Sequence, residues 1–107
     1  MRIIYIKSFD KGIKKLKKHN EEINNLNKIL KIIKNTSNFR ELTLIPIVKK
    51  YNFERLKHNY NNFYSFRLSR IIRLIVKPKD NGIELFLAYI SFDHYDDFSI
   101  EKVIYYD

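Results

Sequence analysis

Fifteen residues decide the fold: Phe63-Tyr64-Ser65-Phe66-Arg67-Leu68-Ser69-Arg70-Ile71-Ile72-Arg73-Leu74-Ile75-Val76-Lys77. Phe63 to Ser69 and Ile71 to Lys77 are each dense in aromatic and β-branched residues, the composition of strands. Ser69-Arg70 between them predicts a tight turn. Alternation within the first run sets Ser65, Arg67 and Ser69 on one face and Phe66 and Leu68 on the other. The apolar pair belongs in the core, so Arg67 is expected to point away from it.

Downstream, Asp80-Asn81-Gly82 is a hairpin turn, since Asn and Gly tolerate positive φ. It leads into a third β-rich run from Ile83 to Phe92. Upstream, Ile3 to Phe9 reads as a strand, and Asp10 is a fair N-cap for a helix starting there. Ile13, Leu16, Ile23, Leu26, Leu30 and Ile33 recur at helical steps with one polar break at Asn20, which predicts one amphipathic helix of about six turns. Asn38 and Glu41 have the spacing of a capping box for a second helix, which Pro46 disturbs. The expected architecture is α+β, in the order β-α-α-β-β-β. Two N-terminal helices would cover one face of a mostly antiparallel four-stranded sheet and leave the other face open.

The chain has 107 residues, enough for one domain spanning 1–107 and not for two independent cores. No apolar run reaches the roughly 18 residues of a membrane span, and the opening segment lacks a signal-peptide pattern, so a cytoplasmic location with no membrane contact is expected. There is no Cys, which excludes disulfides, thiolate catalysis and cysteine zinc sites. Net charge is +9, unevenly spread: residues 93–107 hold five acids and one Lys, leaving 20 basic against 7 acidic residues, +13, in the first 92. Such a field attracts polyanions, nucleic acid first among them. An AT-rich coding bias would also enrich Lys, Asn and Ile together. Arg is less subject to that bias, and three of the six Arg fall within seven residues: Arg67, Arg70 and Arg73.

Arg73 lies inside the apolar run Ile71–Val76, where a charge is costly to bury without a partner. Either a carboxylate such as Glu84 neutralises it or it faces an anion, and spacing alone leaves both readings open. The planar guanidinium fork suits two phosphate oxygens. His94 stands just past the last expected strand, in Phe92-Asp93-His94-Tyr95-Asp96-Asp97-Phe98. One imidazole there can exchange a proton near neutral pH, or can be a structural group paired with the local carboxylates. The same segment lacks any recognised metal-ligand spacing. Among eight Tyr and eight Phe, Tyr60, Phe63, Tyr64 and Tyr95 fall near the Arg group in sequence, where rings can stack on bases. Most of the sixteen must serve the core. No phosphate-binding Gly loop exists, and neither Ser65 nor Ser69 has a nucleophile-elbow context.

From Phe53 onward the chain resembles the RelE/ParE-like toxins of type II toxin–antitoxin modules, in their RelE/YafQ-like branch. The resemblance rests on Phe53-Glu54-Arg55-Leu56-Lys57-His58, Tyr64-Ser65-Phe66-Arg67-Leu68, Arg73-Leu74-Ile75-Val76 and Ile90 to Phe98, taken in order and spacing. It implies a metal-independent messenger-RNA endoribonuclease without a cofactor, acting on or off the ribosome. A small acidic antitoxin would hold it inactive. In such enzymes the 2′-hydroxyl attacks the adjacent phosphate and expels the 5′-oxygen. By the same resemblance Arg67 and Arg73 would bind the scissile phosphate, and His94 would be the general acid or base. Phe98 would stack on a base, with Arg70, Tyr64 and Tyr95 as further substrate contacts. Phe98 stands where RelE members place a proton-exchanging Tyr, and the net −4 tail is unusual beside an RNA site. Two other functions fit the same scaffold: a ParE-like inhibitor of DNA gyrase, and a non-catalytic nucleic-acid-binding or interaction domain.

Overall fold

The computed structural model describes residues 1–56, 62–92 and 100–105. Strand β1 (Arg2–Tyr5) leads into helices α1 (Lys7–Leu16), α2 (Asn20–Lys34) and α3 (Phe39–Leu44) and a 3₁₀ turn over Pro46–Tyr51. Strands β2 (Glu54–Arg55), β3 (Tyr64–Arg67), β4 (Arg73–Lys79) and β5 (Glu84–Ser91) come next, and Ile100–Lys102 forms a last 3₁₀ turn. The five strands make one sheet in the order β1-β5-β4-β3-β2. β1 runs parallel to β5 and every other pairing is antiparallel.

The α+β class and the helix-then-sheet order hold, but several details differ from the sequence expectation. The sheet has five strands, because Glu54 and Arg55 pair with Ser65 and Tyr64 at its edge. The single long helix is two, divided at Lys17–His19, where the His19 N–H turns back to the Leu16 carbonyl at 2.9 Å. The apolar stripe skips from Leu16 to Ile23, so no buried side chain holds a straight helix through this point. Finally, β1 ends at Tyr5, and Asp10 lies inside α1, whose N-cap is Ile6. The Asn38 cap is as expected: its side chain accepts the Glu41 N–H at 2.8 Å, while the Glu41 carboxylate accepts the Ser37 N–H at 3.2 Å. Asp80, Asn81 and Gly82 all take positive φ at the β4–β5 turn.

The main core lies between the helices and one sheet face, built from Phe9, Leu16, Leu26, Ile29 and Ile33 against Phe66, Leu74, Val76, Leu85, Leu87 and Ile90. α1 crosses β5 so closely that a Cβ on Gly12 would come within 2.9 Å of the Ile90 Cβ.

The second face is less open than expected. Ile75 and Ala88 are buried there with Ile6, Leu56, Phe63 and Val103. The 100–105 segment is fastened by Ser8, which is 4% exposed. The Ser8 Oγ accepts the Ile104 N–H at 3.0 Å and donates to the Ala88 carbonyl at 2.5 Å. Ala88 is the extra residue of a bulge, since Ile75 pairs with Tyr89 and Val76 with Leu87. The bulge turns both Ala88 and Tyr89 toward this second cluster. An apolar cap thus covers the middle of the second face and divides it into two ends.

Candidate nucleic-acid interface

One end is occupied by arginine. Arg67 is the last residue of β3 and Arg73 the first of β4, and the register sets them directly opposite each other. Arg73 in turn stands opposite Ser91 on β5. Directly opposed residues share a face, so Arg67, Arg73 and Ser91 form a row across three strands, on the side away from Phe66, Leu74 and Ile90. The expected orientation of Arg67 agrees with this register. Like charges directly opposite each other destabilise a sheet by themselves.

Two polar atoms on this face, one of them in the row, lack a partner among the described residues. The Arg67 Nε and the Ser65 Oγ, two residues apart on the same face of β3, are buried with no hydrogen-bond partner among the described residues. Each such group costs about 1–3 kcal/mol in lost hydration. One N–H donor and one hydroxyl side by side can both donate to an oxygen anion. Glu84, the carboxylate offered by the sequence to neutralise Arg73, stands at the far end of β5. It faces Lys79 and pairs with Arg2 at 3.3 Å.

The turn carrying the row is fixed from both sides. The Leu68 N–H donates to the Ile72 carbonyl at 2.8 Å, and the Ile72 N–H to the Ser69 Oγ at 3.3 Å. From α2, the Asn25 Nδ2 donates to the Leu68 carbonyl at 2.7 Å. Arg70 is exposed at the tip, three residues from each member of the Arg pair. It lines a groove of about 510 Å³ with His19, Glu21, Ile71 and Phe92. A second groove, about 430 Å³, runs past Arg67 between Asn25 and Asn52. His19 belongs to the α2 start, where its Nδ1 lies 3.5 Å from the Glu22 carboxylate. Among the described residues neither Arg67 nor Arg70 forms an ion pair.

Tyr64, expected as a substrate contact, is not brought to this end. It alternates to the helix side of β3 and stacks on Phe53 at 5.5 Å and 14°, with Phe39 edge-on at 4.6 Å. Phe53 in turn packs on Phe66, so Tyr64 belongs to an aromatic wedge beneath α3. His94, Tyr95 and Phe98 lie outside the described residues, as does Tyr60. Sequence reasoning missed Ser65 and Ser91. Both are small polar residues in β-rich runs, buried at 1% and 4% exposure, and their alternation with core residues was the available signal.

No protein-family model matches the chain, and no curated protein matches it in sequence. Its three-dimensional structure is similar to solved toxins. One is YafQ from E. coli strain BL21(DE3), 22% identical, with a TM-score of 0.67 over 92% of this chain and 100% of YafQ. Another is a YoeB/ParE toxin from Agrobacterium tumefaciens, 17% identical, with a TM-score of 0.66 over 89% of this chain and 100% of that one. A third is a chain of the heterotetrameric YoeB–YefM toxin–antitoxin complex from Staphylococcus aureus. It is 23% identical, with a TM-score of 0.62 over 88% of this chain and 98% of that chain. The protein therefore has the fold of the RelE/ParE-like toxins. Within that fold it matches the YafQ and YoeB arrangement over nearly its whole length.

Proposed function

We propose that the chain is the toxin of a toxin–antitoxin module and acts as a metal-independent endoribonuclease on messenger RNA in the cytoplasm, on the ribosome or off it. The observation that carries this reading is the Arg67–Arg73 pair, opposed across β3 and β4 on the face away from the helices. The Arg67 Nε and Ser65 Oγ beside it, without a hydrogen-bond partner among the described residues, add donors for a phosphate oxygen.

In this reaction the ribose 2′-oxygen forms a bond to the adjacent phosphorus as the bond from phosphorus to the 5′-oxygen breaks. The 2′-hydroxyl proton goes to a base, and the leaving 5′-oxygen receives one from an acid. Negative charge grows on the non-bridging oxygens, and fixed guanidinium groups aimed at it are worth most in a site that excludes water. Arg67 and Arg73 fill that role, and His94 is the proton-exchanging group. Arg70 holds a flanking phosphate from the turn tip, and Tyr95 and Phe98 contact bases. Tyr64 is left out, because its ring is committed to Phe53 and Phe39. An acidic antitoxin would neutralise the same basic end. The likeness to a chain of the S. aureus toxin–antitoxin complex supports a partner of that kind.

Incubating the purified protein with RNA in excess chelator tests the reading. The expected products carry 2′,3′-cyclic phosphate and 5′-hydroxyl ends. Products with 5′-phosphate ends, or intact RNA both with and without ribosomes, would contradict it. Broken DNA in the presence of gyrase would favour the ParE-like alternative instead.

A further inference from the structure

The other end of the second face is also basic, and the arginine site does not use it. Arg40, Lys77 and Lys79 line a groove of about 680 Å³ between the start of α3 and the β4–β5 turn. Tyr64 pairs with Val76, so β4 runs past the first residue of β3 and Lys77–Lys79 pair with β5 alone. The Lys77 ammonium sits 5.3 Å over the Phe63 ring and that of Lys79 sits 5.7 Å over Phe86. These contacts hold the charges in place without neutralising them. Lys79 faces Glu84, but that carboxylate is engaged by Arg2 at 3.3 Å. Among the described residues Arg40, Lys77 and Lys79 form no ion pair, and Asp80 is the one carboxylate among the residues lining the groove.

Lys77 and Lys79 share their face of β4 with Arg73, four and six residues away, so the groove's lysines lie about 13 and about 20 Å along the strand from the arginine pair. Ile75, buried in one cluster with Val103, separates the two. A ligand touching both ends must therefore be a polymer that crosses an apolar cap. Pro78 gives the exposed edge no N–H at its centre, which disfavours an added strand. The lining also lacks the cluster of large apolar anchors that a protein interface places at its core.

We propose that this groove is a second contact for the phosphate backbone of single-stranded RNA engaged at the arginine end. The proposal rests on the ribonuclease reading and extends it, since binding would then depend on RNA length.

The test uses the full chain and labelled 2′-O-methyl oligonucleotides, which cannot be cleaved, of about four and about 16 nucleotides, the range over which single-strand grooves act. The combined variant Arg40→Gln, Lys77→Gln, Lys79→Gln is expected to weaken binding of the long probe. It should also make the slope of log affinity against log salt shallower by about 2, from about 0.7 per contact on single strands. Binding of the short probe should not change. Arg40 is exposed on α3, so Arg40→Gln alone keeps the test valid if the combined variant unfolds, with a slope change of about 0.7 expected. An unchanged slope with the long probe would overturn the proposal and leave the ribonuclease reading standing. If the variants bind RNA normally but lose a small acidic protein partner, the groove is a protein face and the proposal is wrong. If the unmodified protein binds neither probe, the proposal falls, while the ribonuclease reading is decided separately by cleavage with and without ribosomes.

Discussion

Arg67 and Arg73 close the β3–β4 ladder as a cross-strand pair, the last before the turn. Cα atoms of such opposed residues are about 4.5–5.5 Å apart. A β-hairpin gains nothing from placing two like charges there. Two guanidinium forks opposed in this way can share the oxygens of one phosphate, and that link joins the fold to the proposed reaction.

Ser65 offers a separation of stability from function. Its Oγ is buried and has no hydrogen-bond partner among the described residues, so Ser65→Ala removes a desolvated hydroxyl without breaking a bond. The expected result in urea unfolding is unchanged or increased stability, by up to about 1 kcal/mol, with weaker RNA binding. A stability loss above about 2 kcal/mol would mean that the hydroxyl has a structural partner.

Ser8 should behave in the opposite way. Its Oγ bridges the Ala88 carbonyl and the Ile104 N–H, so Ser8→Ala leaves a buried acceptor unpaired and loosens the 100–105 segment, which keeps the Ser8 N–H bond to the Ile104 carbonyl at this point. A loss of about 1–3 kcal/mol is expected. Hydrogen exchange should rise first at Ile104 and at the Val103 side of the second face. Uniform exchange across the whole sheet would contradict this local fastening.

Gly12→Ala would ordinarily favour a helix by about 1 kcal/mol. Here the new methyl meets the Ile90 Cβ at 2.9 Å, and Ile90 is 1% exposed in the core. Overpacking of this kind costs about 1–3 kcal/mol, so a net lowering of the thermal midpoint is expected. A raised midpoint would show that α1 can lift off β5 without penalty.

Much of the fold was legible from local chemistry. The Asn38–Glu41 cap, the Asp80-Asn81-Gly82 turn and the alternation that separates Arg67 from Phe66 each depend on neighbouring residues alone. What was not legible depends on distant partners. The parallel alignment of β1 with β5, the two-residue β2 and the bulge at Ala88 have no signature within their own segments. The helix break at Lys17–His19 carries neither Gly nor Pro, and only the seven-residue step from Leu16 to Ile23 hints at it. Tyr64 shows the limit for the site. Closeness in sequence to Arg67 suggested a shared role, yet one step along a strand reverses the face. The Arg pair could be found because both residues lie at strand ends that the turn brings together. Glu84 could not be assigned to Arg2 without knowing where β1 runs.

The most direct measurement is a double-mutant cycle on single-turnover RNA cleavage with Arg67→Ala, Arg73→Ala and the pair combined. If both guanidinium groups act on one phosphate, each single change should cost about 10²–10³-fold. The combined variant should then be little worse than either, because groups acting as a unit are strongly non-additive. Full cleavage by both single variants, or losses that multiply independently, would contradict a shared phosphate site at the end of β3 and β4.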